Sequence, residues 1–429
     1  MNKVYESYKD STIAWIGNIP SGWDVCRIKD SASLYTGNSI KDEEKDFYSD
    51  SEDARPYIAT KDIDATYLSA NYENGLYIKH EDSNFRVAPC RSSLMCIEGG
   101  SAGKKKAFVE KEVSFVNKLC CFSPNNRIDG KFLFYFLCSP NFEDVFSSKI
   151  TGLIGGVNIP TLKDINILLP SIKEQELISN YLDTKCFEID SLISLQEQMI
   201  SDLINYRKSI ITEAVTKGLN RDVRIINSGI EWIGEIPEGW KVIRIKWLLN
   251  ERKERSVTGS EEPLSMSQKY GLIPTKDMDT IPNMASSFIG AKITFPGDIV
   301  FNKLKAHLGV FSVSQYYGLV SPDYAVYYPT ALSDAKYLEY LFKTSIYINE
   351  FKKRSSGVGA GLTRLYTSDL FDIHAICPPI SIQKEIAQYI DAKTSQIDSL
   401  ISIKQAKIQD LKDYKKSIIF EYVTGKKRV

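Results

Sequence analysis

One stretch of this 429-residue chain occurs twice. Residues 162–216 read LKDINILLPSIKEQELISNYLDTKCFEIDSLISLQEQMISDLINYRKSIITEAVT, and residues 370–424 open LFDIHAICPPISIQKEIAQYIDAKTSQIDSLIS. The offset is a constant 208 (Leu162 to Leu370, Thr216 to Thr424), and IDSLIS at 189–194 returns unchanged at 397–402. Tyr206, Lys208, Ser209, Ile210, Ile211, Glu213 and Val215 recur as Tyr414, Lys416, Ser417, Ile418, Ile419, Glu421 and Val423. A repeat of this kind sets the architecture before any local reading does.

After Pro170 the first copy has no proline, and no glycine before Gly218. Its apolar residues recur at spacings of three and four, which predicts one long amphipathic helix per copy. Such a helix spans about 65–70 Å at ~1.5 Å per residue, far beyond the usual ~11–12 residues. A single apolar stripe must be buried, and the other copy is the obvious partner. The pattern therefore predicts an antiparallel coiled coil with its seam at Ile189, Leu192, Ile193, Leu203 and Ile210 in one helix and Ile397, Leu400, Ile401, Leu411 and Ile418 in the other. Lys185, Gln196, Lys393, Lys404 and Lys407 make the heptads imperfect. The alternative is two helices that each pack only on their own domain.

A second signature, WIGNIPSGWDVCRIK at 15–29, returns as WIGEIPEGWKVIRIK at 232–246. Its tryptophans Trp15, Trp23, Trp232 and Trp240 frame a glycine–proline turn and read as structural plugs before an entering strand. Short strands, turns and a few helices follow in each half. GKFLFYFL at 130–137 matches AKYLEYLF at 335–342, and residues 113–122 read as one strand. The acidic run at 41–53 reads as a solvated loop. The fold class is α+β: two similar mixed α/β domains, at 1–170 and 218–378, separated by two long helices at 171–217 and 379–429. The frame is shared while the interiors differ, which suggests two sites of one kind with different preferences.

Lys and Arg number 54, Asp and Glu 54, so bulk charge does not draw this chain to polyanions. Eight cysteines without a CxxC and three histidines argue against zinc and fit a reducing cytosol. The N-terminal MNKVYESYKDS is polar and reads as no signal peptide. No apolar run reaches the ~18–20 residues of a membrane span. GGSAGKKK at 99–106 misses the phosphate-loop spacing, with three residues between its glycines and Lys105 where Ser or Thr belongs. SPDY at 321–324 resembles an amino-methyltransferase motif but has Asp323 for the second proline, and no glycine-rich cofactor loop precedes it. Nothing in the sequence points to catalysis, a metal or a cofactor.

What remains is a set of basic residues near glycines. Lys104, Lys105 and Lys106 follow a glycine turn, which suits a DNA backbone slightly better than a solvated hairpin tip. In the second half Lys303, Lys305 and His307 follow an apolar strand, and Lys352, Lys353 and Arg354 precede Gly357, Gly359 and Gly361, with Arg364 beyond. Arginine suits guanine edges and lysine phosphates. The counterpart at 147–158 has only Lys149 as a charge, leaving Ser147, Thr151 and Asn158 to act as neutral hydrogen-bonding groups. Lys61 and Lys276, in the matched TKD turns at 60–62 and 275–277, complete the candidate contacts.

In order and spacing these features resemble the specificity subunit of a type I restriction–modification enzyme. The resemblance is carried by the doubled tryptophan signature and by Pro170, Gln175, Tyr181, Asp183, Ile189 and Asp190, repeated as Pro378, Gln383, Tyr389, Asp391, Ile397 and Asp398. It covers nearly the whole chain and fades in the two interiors. It implies two target recognition domains, each reading half of a bipartite sequence in double-stranded DNA. It also implies helices that set their spacing and dock two methyltransferase subunits, with a motor-nuclease subunit joining the assembly. S-adenosylmethionine, ATP and Mg would belong to those partners, and this chain would be a non-catalytic, cytoplasmic recognition subunit. The alternatives are a specificity subunit of a related class with a fused partner, and a coiled-coil scaffold that binds only protein.

Overall fold

A computed structural model describes residues 4–280, 287–357 and 363–429. The chain forms two compact units, Met1–Gln198 with Lys404–Val429, and Met199–Ile403. Compactness thus cuts across the sequential segments: each long helix begins in one unit and ends in the other.

The first unit is built on strands β1 (Ala32–Thr36), β2 (Ser93–Cys96), β3 (Lys106–Phe108) and β4 (Leu119–Pro124), antiparallel in the order β3-β2-β4-β1. A second sheet joins Ala54–Ile58 in parallel to Val113–Phe115. The single strand expected at 113–122 is therefore two, in different sheets. The turn between them, closed by the Leu119 amide donating to the Val116 carbonyl at 3.0 Å, redirects the chain. Helix α1 (Gly130–Leu137) starts at Asp129, whose carboxylate accepts the amides of Lys131 and Phe132. Its run of aromatic and leucine residues is buried, so it is a core helix. Helix α2 (Pro140–Ser148) is capped by Ser139 and has Pro140 at its first position.

The long helix α3 (Ile172–Lys217) is fastened to α1 by the repeated signature. Buried Gln175 accepts the Asp129 amide at 2.7 Å and donates to the carbonyls of Arg127 and Pro170 at 3.2 and 2.9 Å. One turn pair further on, Asp183 receives the Tyr135 hydroxyl at 2.7 Å and the Lys131 ammonium. The Gln175 bonds satisfy backbone groups at the loop-to-helix corner that burial would otherwise strand, and the Asp183 bonds tie the side chains of α1 to α3.

The second unit repeats the plan with β5 (Leu249–Glu251), β6 (Ile299–Asn302), β7 (Phe311–Val313) and β8 (Tyr324–Pro329), in the equivalent order β7-β6-β8-β5. Helices α4 (Ala335–Phe342) and α5 (Ser345–Arg354) follow, and α6 (Ile380–Val423) is the second long helix. Gln383 repeats the clamp, accepting the Asp334 amide at 2.8 Å and donating to the carbonyls of Leu332 and Pro378 at 2.9 and 2.8 Å. Asp391 receives the Tyr340 hydroxyl. The interior differs, with two separate two-stranded ribbons, Leu264–Ser267 with Gly271–Pro274 and Lys292–Thr294 with Gly318–Val320.

Within the first unit, Tyr181 meets Tyr422, Asp190 binds Lys415 at 2.8 Å and Gln196 accepts from Lys404 at 3.4 Å. Numbers rise on one helix as they fall on the other, so the pairing is antiparallel. The second unit contains the equivalent ion pair, Arg207 to Asp398 at 2.6 Å. Asp190 and Asp398 are the aspartates of the two IDSLIS copies, and each finds its cation on the opposite helix. In the seam Ile189, Ile193, Ile210, Ile397 and Ile418 are buried, and Leu203, Ile401 and Leu411 are half-buried. Leu192 and Leu400 are not seam residues; they are 47% and 46% exposed. Ile189 and Ile193, four apart, share the buried face, and the residue just before Ile193 is turned about 100° away from it.

Trp23 is buried against Phe132, and Trp232 packs edge-on against Tyr347. No helix among the described residues is long and apolar enough to cross a membrane.

Candidate nucleic-acid interface

Strands β2 and β3 of the first unit are joined by a turn at 97–105, which carries two of the three consecutive lysines. A glycine-rich hairpin at 151–156 follows α2. The two loops are zipped together: the Gly99 amide donates to the Gly155 carbonyl at 2.7 Å, and the Val157 amide to the Ile97 carbonyl at 3.0 Å. Thr151 and Gly156 close the hairpin with reciprocal bonds of 2.9 and 3.0 Å.

The second unit builds the same pair. Its β6–β7 turn at 303–310 carries Lys303, Lys305 and His307. Its hairpin pairs Ser356–Gly357 with Thr363–Arg364 and follows α5. Here the Leu365 amide donates to the Lys303 carbonyl at 3.0 Å, and the Thr363 hydroxyl lies 3.5 Å from His307 Nδ1. Loops that sequence treats separately thus form one composite surface on each unit. Gly359 and Gly361 lie outside the described residues.

In the first unit Lys61, Lys104 and Lys149 are exposed. Lys105 is half-buried and donates to the Thr60 carbonyl at 2.8 Å, tying the lysine turn to the turn that carries Lys61. Lys106 is not a phosphate ligand. It is 1% exposed and bound to Glu143 at 2.6 Å, because as the first residue of β3 it points into the core against α2. Asn158 is exposed, but its Oδ1 is committed to capping the Ile159–Lys163 turn through the Thr161 amide at 2.9 Å. Its NH2 group makes no such bond and is the freer end for a ligand.

In the second unit Lys305, Lys352 and Lys353 are exposed, and Lys303 and His307 are half-buried. Arg354 is engaged by Glu350 at 2.8 Å and Lys276 by Glu262 at 3.2 Å. Arg364 is half-buried and bound through Nη2 to Asp323 at 3.0 Å. Its Nε is buried and has no hydrogen-bond partner among the described residues. Asp323 belongs to SPDY, which is the turn that leads into β8.

Sequence reasoning missed Lys292. This residue is buried, and its Nζ donates to the Tyr324 carbonyl at 2.5 Å. Burial holds its ammonium below the ordinary lysine range, and the nearby charge of Lys303, with Arg255, pushes it further the same way, against Glu251 and Asp323. Two cations and two carboxylates thus surround Lys292, and with its Nζ bound to the Tyr324 carbonyl it serves the core of the second unit. A lone lysine within a strand gives no sequence signal for this role.

Comparison with known proteins bears on this geometry. Residues 20–200 match the family of type I restriction modification DNA specificity domains. The whole chain is similar to a putative type I restriction enzyme MjaX specificity subunit from Methanocaldococcus jannaschii, 26% identical and covering 96% of each chain. It is also 22% identical to the type I restriction enzyme EcoKI specificity subunit of Escherichia coli K12, over 90% of this chain and 84% of that one. In fold it is similar to a chain from a structural study of type I restriction–modification complex assembly, with a TM-score of 0.70 at 15% identity over 94% of this chain and 98% of that one. The HsdS subunit of Thermoanaerobacter tengcongensis gives 0.53 at 17% identity, over 95% and 98%.

Proposed function

We propose that this chain, which belongs to the specificity subunits of type I restriction–modification enzymes, reads DNA through the zipped loop pair of each unit. The observation that carries this reading is the duplication itself: one sheet order presents one pair of loops twice, with different side chains each time. A duplicated reader with divergent surfaces suits a bipartite target, two short half-sites with unspecified bases between them. In this reading lysines of the loops hold phosphates and Arg364 reads a base edge.

The paired helices α3 and α6 then serve as spacer and as the docking surface for two methyltransferase subunits, with a motor-nuclease subunit completing the assembly. In this reading the chain performs no chemistry. S-adenosylmethionine, ATP and Mg belong to the partners. Its near-neutral charge is consistent with a clamp closed around DNA by several subunits together.

Methylome sequencing of the host with and without this gene tests the reading. The expected result is a bipartite methylated motif that disappears with the gene. A contiguous motif, or an unchanged methylome, overturns it and leaves the protein-only scaffold as the better account. Inserting four residues, about one turn and ~6 Å, after Ser194 or Ser402 is expected to lengthen the unspecified gap and leave both half-sites unchanged.

A further inference from the structure

We propose that the hairpin at 151–156 is an apolar probe that enters a groove of double-stranded DNA and buries Leu153 and Ile154 against bases of the first half-site. The proposal rests on the DNA-reading function above and specifies how one of its two loop pairs works.

Leu153 is fully exposed at 109%, and Ile154 is 77% exposed. They occupy the two central positions of a β-turn closed by the Gly155 amide and the Gly152 carbonyl at 3.2 Å, with both glycines at positive φ, +83° and +73°. The turn is held out by its bonds to Gly99 and Ile97, so the tip cannot fold back onto the unit's own surface. Leu153 and Ile154 themselves line a concavity of about 590 Å³, together with Thr36, Glu98, Asn117 and Asn158. A rigid tip with two adjacent exposed aliphatic side chains marks an interaction site rather than incidental exposure.

Two features select DNA as the occupant. Between residues 147 and 158 the sole charge is Lys149, and the loop zipped to the hairpin carries Lys104 and Lys105 against the exposed Glu98, so the surroundings keep a net positive charge that suits a polyanion. The equivalent hairpin of the second unit carries Arg364 and is bonded to the turn of Lys303 and Lys305. DNA accepts both hairpins, because arginine and lysine meet guanine edges and phosphates while leucine and isoleucine meet thymine methyls or unstacked base steps.

The test uses the full chain in its methyltransferase complex, on a duplex carrying the motif found in the host methylome and on a scrambled duplex. Leu153→Ser with Ile154→Ser is expected to lower affinity for the motif at least tenfold, and for the scrambled duplex less than twofold. The salt slope should not change, since no phosphate contact is lost. Leu153→Met with Ile154→Val should retain most of the preference, which separates lost apolar contact from a damaged turn. Replacing thymine by uracil in the first half-site should weaken the wild type alone if a methyl is contacted; brightening of a 2-aminopurine there indicates an unstacked step instead. Unchanged affinity, an equal loss on both duplexes, or failure to assemble with the methyltransferase subunits overturns the proposal, the last by showing that the tip docks protein. If the wild type does not prefer the motif to the scrambled duplex, the DNA-reading function itself fails and takes the proposal with it.

Discussion

The two units solve one packing problem in two chemistries. Met95 of β2 pairs with Lys106 on one side and Cys120 on the other; Phe301 of β6 pairs with Phe311 and Ala325. Lys106 and Phe311 therefore hold the same place in the sheet. Counted from the caps Ser139 and Thr344, Glu143 of α2 corresponds to Ile348 of α5. The first unit fills this place with an ion pair between buried Lys106 and half-buried Glu143 at 2.6 Å. The second fills it with aromatic rings, Phe311 stacked on Phe301 at 4.4 Å and meeting Phe351 edge-on at 6.0 Å. The frame is maintained by shape, and the chemistry filling it varies freely. The same freedom extends outward to the loops, which are apolar-tipped in one unit and cationic in the other.

The helices give the largest expected effect and a first way to strain this equivalence. Ile193 is buried in the first unit, while its repeat partner Ile401 is half-buried. Ile193→Asp is expected to destabilise by on the order of 5 kcal/mol, a lost core side chain plus a desolvated carboxylate. Ile401→Asp should cost clearly less. Leu192→Asp and Leu400→Asp should stay within about 1 kcal/mol, as surface changes do. Denaturant midpoints of the full chain measure all four, and equal losses at positions 192 and 193 would refute the seam described above.

The next effect tests the exchange of chemistries directly. Lys106→Ala leaves half-buried Glu143 with Lys416 at 4.0 Å and removes a buried side chain, and is expected to cost about 1–3 kcal/mol. Lys106→Phe combined with Glu143→Ile copies the second unit into the first. It should be neutral or stabilising by about 1–4 kcal/mol, because no charge is left buried. If Lys106→Ala instead spares the unfolding midpoint and weakens DNA binding, Lys106 is a surface contact after all.

These contrasts show what could be read from the letters. The long helices and their antiparallel pairing were legible because apolar spacing and an exact repeat each demand them. Which of two adjacent residues faces the seam was not, since Leu192 and Ile193 both satisfy an apolar stripe and only packing sets its rotation. Lys106 looked like its neighbours Lys104 and Lys105; its partner Glu143 is 37 residues away in sequence, and local pattern holds no trace of the pair. Gln175 and Gln383 stood out in the signature, but the three backbone groups each one satisfies emerge only from the tertiary corner. The loops on the surface were legible one at a time, while their zipping was not.

Arg364 gives the next effect and distinguishes the basic hairpin from its apolar counterpart. With Nη2 held by Asp323 and Nε buried, its guanidinium is pre-positioned at the hairpin's base. Arg364→Ala should cost about 1–3 kcal/mol on duplexes with the correct second half-site and little on those where it is scrambled. Asp323→Asn should weaken the same discrimination by a smaller amount, through loss of orientation. A uniform loss on every duplex would make Arg364 a phosphate contact.

The smallest effect is the most direct comparison of the two surfaces. Lys353 in the second unit and Lys104 in the first are both exposed, at the ends of the two loop systems. A lysine that neutralises one phosphate contributes about 0.9 to the slope of log affinity against log salt, which near physiological salt amounts to roughly 1 kcal/mol whatever the sequence. Lys353→Ala and Lys104→Ala should each lower the slope by about that amount, and the double variant by about twice as much, since two separate contacts add. Titration by fluorescence anisotropy at several salt concentrations, in the methyltransferase complex, gives the slopes. A change for Lys353 alone would mean that the first unit meets DNA through its apolar tip without the lysine turn. A change for Lys104 alone would place the second unit's contacts on Lys303 and Lys305, at the base of its loop pair. No change for either would leave phosphate contacts on these surfaces to the other lysines of the loop pairs, with Lys303 and Lys305 the next to replace.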